Sequence, residues 1–286
     1  MDFSSKRTYG IAMAALGFIA WVGYGLLFVI FAKSPDLKKK NRFLFSLAVS
    51  DLLITIHVVA SVVASFQSEW PFGSIGCQLD AFIGMAPTFI SIAGAALVAK
   101  DKYYRICKPK MVGRNYSFSI YANWTLGIIG GLLPFFGFGQ YGFETDDLSL
   151  RTGCLLDFKT VSAKYRFYIV FISLVWFVWP LYKLTSHYIK ISAKLDRFHP
   201  LMFVVPLQML VSLLPYAIYA MISITVGVSS APYYLVAVNN IAAKVFIGTN
   251  PFIYIYFDPE LRLACKNLFK YSSTPVQDQI QDKKDE

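Results

Sequence analysis

The sequence is poor in charge. Charged residues make up 15% of it, against about 25% in an ordinary soluble domain. Several stretches of helix length hold no charge at all. A water-soluble globule with a charged surface is thereby excluded. Histidine and cysteine are scarce too, at three and four residues. His57, His187 and His199 are too scattered to suggest a metal site. No acid–base triad and no glycine-rich phosphate loop is visible, so hydrolytic and nucleotide-driven chemistry find no support. Acidic residues are fewer than basic ones, 17 against 27, which leaves a net charge of +10.

What the chain has in excess is apolar surface, with 56% hydrophobic and 17% aromatic residues. A helix that crosses a hydrocarbon core of about 30 Å needs about 20 mostly apolar residues. The sequence predicts seven such spans, at about 10–32, 43–66, 75–107, 116–138, 165–190, 200–226 and 232–257. The uncharged run 200–243 is too long for one crossing, and it breaks at the turn-like Gly227-Val-Ser-Ser-Ala-Pro232. The first apolar run reads as a span and not as a cleavable leader. A short amphipathic helix is expected at about 258–270. A polar, disordered tail follows at 271–286, whose Ser272, Ser273 and Thr274 read as plain tail. The expected fold is an all-α membrane bundle with one domain over 1–270.

The loops predict an orientation. Lys33, Lys38, Lys39, Lys40 and Arg42 follow the first span. Lys100, Lys102, Arg105, Lys108, Lys110 and Arg114 follow the third, and Lys190, Lys194 and Arg197 follow the fifth. By the positive-inside rule these loops are cytoplasmic, so the N-terminus is outside and the C-terminus inside. Glu69, Glu144, Asp146, Asp147 and Asp157 fall on the other side. The basic excess then serves topology and anionic lipid, and no nucleic acid is expected as partner. Of the four cysteines, Cys77 and Cys154 alone lie on the oxidising side. A bridge between them is expected, with two free thiols as the alternative. Cys265, in the amphipathic stretch, is either a lipidation site or an ordinary buried cysteine.

Lys244 is the most informative residue. It lies midway between Pro232 and Phe257, about 18 Å from either at the helical rise of about 1.5 Å per residue. An ammonium there costs at least about 2.5–3.5 kcal/mol, and such a residue is a functional hypothesis by default. A desolvated lysine is readily neutral, and its amine can attack an aldehyde. An internal ion pair with Asp51 or Asp80 is the plainer alternative.

Around Lys244 stand several motifs. Asn250-Pro251-Phe252-Ile253-Tyr254 begins six residues after it. The second span has Leu47-Ala48-Val49-Ser50-Asp51-Leu52. The third opens with Gly76-Cys77-Gln78-Leu79 and ends in Asp101-Lys102-Tyr103. Trp124 and Pro134 mark the fourth span, Pro180 the fifth and Pro215-Tyr216 the sixth. Over residues 20–270 the chain resembles an opsin. Within that family it is similar to the RGR, retinochrome and peropsin group, through Lys33-Ser-Pro-Asp-Leu37, Trp70-Pro-Phe-Gly-Ser-Ile-Gly-Cys-Gln78, Tyr141-Gly-Phe-Glu144 and Pro215-Tyr-Ala-Ile-Tyr219.

The resemblance implies a rhodopsin-like seven-helix bundle with an eighth helix. It also implies retinal, all-trans or 11-cis, held on Lys244 as a protonated Schiff base. That cation needs a carboxylate. The position of Asp80 matches the counterion of visual opsins, although the nearest group is typically not acidic there. Glu144 resembles the second-loop glutamate of other opsins. Gly84, Met85, Thr88, Phe89, Trp176, Phe177, Leu213, Tyr216 and Ala243 are the expected pocket. The switch motifs are Asp51, Asp101, Lys102, Tyr103, Asn250, Pro251 and Tyr254. Three of the family's switch positions depart from its pattern. Lys102 replaces an arginine, Leu213 replaces the tryptophan expected two residues before Pro215, and the first-span asparagine is replaced near Tyr24. Lysine is a point charge where arginine offers a planar fork. With a short third cytoplasmic loop at 192–199, these departures favour a retinal photoisomerase that makes the 11-cis isomer in light. A light-activated receptor for a heterotrimeric G protein is the main alternative, and a retinal carrier a third.

Overall fold

The computed structural model describes residues 3–67, 69–143, 152–156, 162–196, 200–226 and 233–273. Among these, six helices are long and apolar enough to cross a membrane: Lys6–Lys33, Arg42–Gln67, Gly73–Cys107, Tyr116–Phe136, Ala163–Leu195 and Phe203–Ile222. A seventh, Tyr233–Phe257, has 25 residues and carries Lys244 and three asparagines. The helices form a closed ring. The first span packs on the second and the seventh, the sixth on the fifth and the seventh, and the third contacts the second, fourth and fifth from the centre.

Proline and left-handed residues set most of the ends. The first span stops at Lys33 because Pro35 disfavours helix at Ser34. Gly73, at φ +64°, turns the chain into the third span. Asn115 does the same before the fourth, at φ 60°. The fourth span is shorter than expected, because its α-helix ends at Leu132 and tightens into a 3-10 turn around Pro134. The first span starts earlier than expected, at Phe3. The fifth runs longer at both ends, Ala163–Leu195, with Ser162 capping it by accepting from the Tyr165 amide. One π-turn, Leu174–Val178, interrupts it just before Pro180. The ring of Pro180 cannot accommodate the carbonyl four residues back, and the wider turn relieves that clash. The last helix, Pro259–Ser273, outruns the expected 258–270 and takes in the first residues of the expected tail.

Large apolar side chains point outward all along the bundle, among them Phe18, Phe118, Phe167, Val211 and Tyr256. Water does not tolerate so much exposed apolar surface, and lipid does. At one end of the bundle, strand β1 (Tyr141–Phe143) pairs antiparallel with strand β2 (Cys154–Leu156). The hairpin lies on the third span, and the Cys77–Cys154 disulfide fastens it there. Tyr141 reinforces the seat by donating to the Gly131 carbonyl at 2.7 Å. The basic loops gather at the opposite end.

Candidate functional site

Three ionisable residues are buried together near the disulfide end: Lys244 on the seventh span, Asp80 on the third and His57 on the second. His57 Nδ1 lies 2.9 Å from Asp80 Oδ2, with the ring 2% and the carboxylate 6% exposed. The ring nitrogen points off the line to the oxygen, so the contact is close without being an aligned hydrogen bond. Lys244 is within electrostatic reach of the same imidazole. Gly84, one helical turn beyond Asp80, faces the ring as well. A Cβ at Gly84 would come within 3.3 Å of His57 Cγ.

Between the third, fifth and sixth spans runs a narrow cavity of about 90 Å³. Seven of the nine expected pocket residues line it: Met85, Thr88, Phe89, Trp176, Phe177, Leu213 and Tyr216. Gly84 abuts His57 instead, and Ala243 is half-buried outside the lining. Trp176 stacks on Phe89, with centroids 4.6 Å apart. Gly130 makes room for that indole, since a Cβ there would meet it at 2.7 Å. Sequence reasoning missed Ile169, Ile172 and Ser173, which line the same wall. Their spacing of seven, four and three residues from Trp176 was the available signal. It also missed His57, which was weighed only as a metal ligand. An imidazole in an otherwise apolar span needs a partner, and that need was the available clue. Glu144, Asp146 and Asp147 lie outside the described residues.

Below the site, the expected switch residues converge. Tyr24 Oη lies 2.5 Å from Asp51 Oδ2 and 2.9 Å from the Ile247 carbonyl, so its hydroxyl fills the place of the missing asparagine. Asn250 donates to Asp51 at 3.1 Å, and Ser91 donates to its other oxygen. Tyr254 is buried next to this core, and Pro251 sits within the same turn of helix as Asn250. At the basic end, Asp101 pairs with Arg105 at 2.8 Å and accepts from Tyr116. Lys102 instead crosses to Asp258, 2.8 Å away, at the junction of the seventh span and the last helix. Tyr103 packs against His187. Cys107 and Cys265 are free and half-buried.

A lysine sunk in the last of seven ringed helices, over a carboxylate core tied to Asn250, is the architecture of a membrane receptor. Residues 23–254 match the family described as 7 transmembrane receptor (rhodopsin family), and the chain belongs to it. Its relatives include opsins. It is 28% identical over 229 residues to the human (Homo sapiens) RPE-retinal G protein-coupled receptor, covering 78% of this chain and 77% of that one. It is 33% identical over 180 residues to the Gq-coupled rhodopsin of Mizuhopecten yessoensis, covering 60% of this chain and 35% of that one. The match to the mouse (Mus musculus) RPE-retinal G protein-coupled receptor likewise spans only 59% of that protein. In fold, the chain superposes on the crystal structure of squid rhodopsin with a TM-score of 0.82 at 23% identity, over 99% of this chain and 91% of that one. It is therefore an integral membrane protein of rhodopsin-like fold.

Proposed function

We propose that the protein is a retinal-binding opsin that works as a photoisomerase, taking all-trans-retinal to the 11-cis isomer in light. The observation that carries this reading is Lys244, an amine buried in the seventh span within electrostatic reach of the His57–Asp80 pair. The donor set suits retinal, with one amine for an aldehyde, one carboxylate for a cation and an aromatic wall for a polyene. Lys244 would hold retinal through its amine, and retinal would supply an aldehyde for that amine and a conjugated chain that absorbs light. Asp80 balances the charge at Lys244. Phe89 and Trp176, stacked together, form one rigid side of the cavity and limit which parts of a ligand can move. The disulfide holds the hairpin against the third span, at the same end of the bundle as Asp80.

Weak signalling is supported by the basic end. Lys102 stands where rhodopsin-like receptors carry arginine, and it is engaged by Asp258. Leu213 takes the place of the tryptophan that would couple ligand to helix motion. The reading places the basic loops in the cytoplasm, in keeping with their lysines and arginines. A light-activated receptor is the second reading, favoured by the intact Asp51–Asn250 link.

The test is chromatography of retinal isomers extracted from purified protein after reconstitution with all-trans-retinal and illumination. Accumulation of the 11-cis isomer is expected. Recovery of unchanged all-trans-retinal would end the isomerase reading. Light-dependent nucleotide exchange on added G proteins decides the second one.

A further inference from the structure

His57 has no place in the reading so far, yet it is among the most buried polar residues and touches the proposed counterion. We propose that His57 is a positioning residue for Asp80: as a neutral imidazole protonated on Nδ1, it donates to the carboxylate and keeps it ionised toward Lys244. The proposal rests on the reading of Lys244 as the retinal attachment point.

Charge balance keeps the ring neutral, and the approach of Nδ1 to Asp80 selects the tautomer. Asp80 faces the imidazole from the third span and Lys244 from the seventh. On its own span, Asp51 is six residues away and is occupied by Ser91, Asn250 and the first span's Tyr24. The fourth span brings no charge, being uncharged over Tyr116–Leu132. A cationic linkage and an imidazolium would place two positive charges against one carboxylate in a medium that solvates neither. A neutral ring avoids this and still offers a donor. Without that donor, a lone carboxylate beside a cation in low dielectric tends to take its proton, because the neutral pair is cheaper to bury. A hydrogen bond to the ionised carboxylate opposes the transfer. The contact of 2.9 Å already brings the two atoms within hydrogen-bond distance. Gly84 is the packing condition, since a Cβ there would press the ring at 3.3 Å.

The experiment titrates the absorption band of reconstituted protein from acid to alkali and records the pH at which visible absorption gives way to near-ultraviolet. His57→Leu should lower that midpoint by about one pH unit or more, a tenfold weaker hold on the proton. His57→Asn, whose amide can sit where Nδ1 sits, should restore most of it. Gly84→Ala should move the midpoint the same way as His57→Leu, and it decides the matter if His57→Leu does not fold. Borohydride trapping on the unaltered protein separates the two levels of the argument. No retinal trapped at Lys244 overturns the attachment reading and this proposal with it. Retinal trapped there, with midpoints unmoved in His57→Leu and Gly84→Ala, overturns the role of His57 alone.

Discussion

Asp80 is the side chain on which the proposed chemistry of light absorption turns. It is 6% exposed, and His57 Nδ1 lies 2.9 Å from it. Asp80→Asn keeps the shape and removes the charge. The pigment should then absorb in the near-ultraviolet at neutral pH, where the unaltered protein absorbs visible light; difference spectra before and after acidification read this directly. A visible band unchanged in Asp80→Asn would hand the counterion role to another acid. Much at this scale was legible in the sequence. Lys244 and Asp80 stood out because charge is expensive at depth. His57 did not, because an imidazole is polar without being charged. Its meaning depends on which span it faces, and spacing along one helix cannot say that. The role of Tyr24 was legible only as a gap where asparagine was expected. Its reach across to Asp51 and the Ile247 carbonyl needed the packed bundle.

At the scale of elements, the spans were readable because long, mostly apolar runs suffice to find them. Their ends and irregular turns were not. Amphipathic periodicity marks helix faces in water, but here both the lipid side and the core side are apolar, so that signal is faint. The 3-10 turn after Leu132 and the π-turn at Leu174–Val178 were therefore invisible, although Pro134 and Pro180 mark their places. The π-turn carries Trp176 into the cavity wall, so an irregularity in the fifth span shapes the site. The third span and the last helix are joined by Lys102 and Asp258, at 19% and 15% exposure. Burial alone would raise the Asp258 carboxyl, but the Lys102 ammonium beside it and the Leu261 and Glu260 amides outweigh burial and hold it below its usual value. A carboxyl depressed in the folded state stabilises above its unfolded pKa, and the contribution is lost as pH falls through the folded value. Lys102→Met should therefore lower the melting temperature in detergent at neutral pH, by the equivalent of about 1.5–3 kcal/mol for a hydrogen bond to charge. Its difference from the parent should shrink in acid. Equal melting at neutral pH would show that the tether contributes nothing.

Over the whole molecule, sequence and structure agree on a bundle of spans with a Cys77–Cys154 bridge. The Cys77–Cys154 pairing was readable from charge, since the lysine-rich loops predict which cysteines share an oxidising space. The cavity was not readable as a whole. Its walls come from the third, fifth and sixth spans, and only their mutual packing brings Met85, Trp176 and Leu213 together. The relatives narrow the family to opsins without deciding between isomerase and receptor, because both kinds share this bundle. That choice falls to the altered parts, Lys102 and Leu213, and to the isomer test.

All of this depends on Lys244 as the point of attachment. Reduction with borohydride after loading with retinal, followed by mass spectrometry of the peptides, tests it most directly. The account predicts a retinyl adduct on Lys244 and none on the Lys244→Ala protein. An adduct on another lysine, or equal retinal uptake by Lys244→Ala, would contradict it.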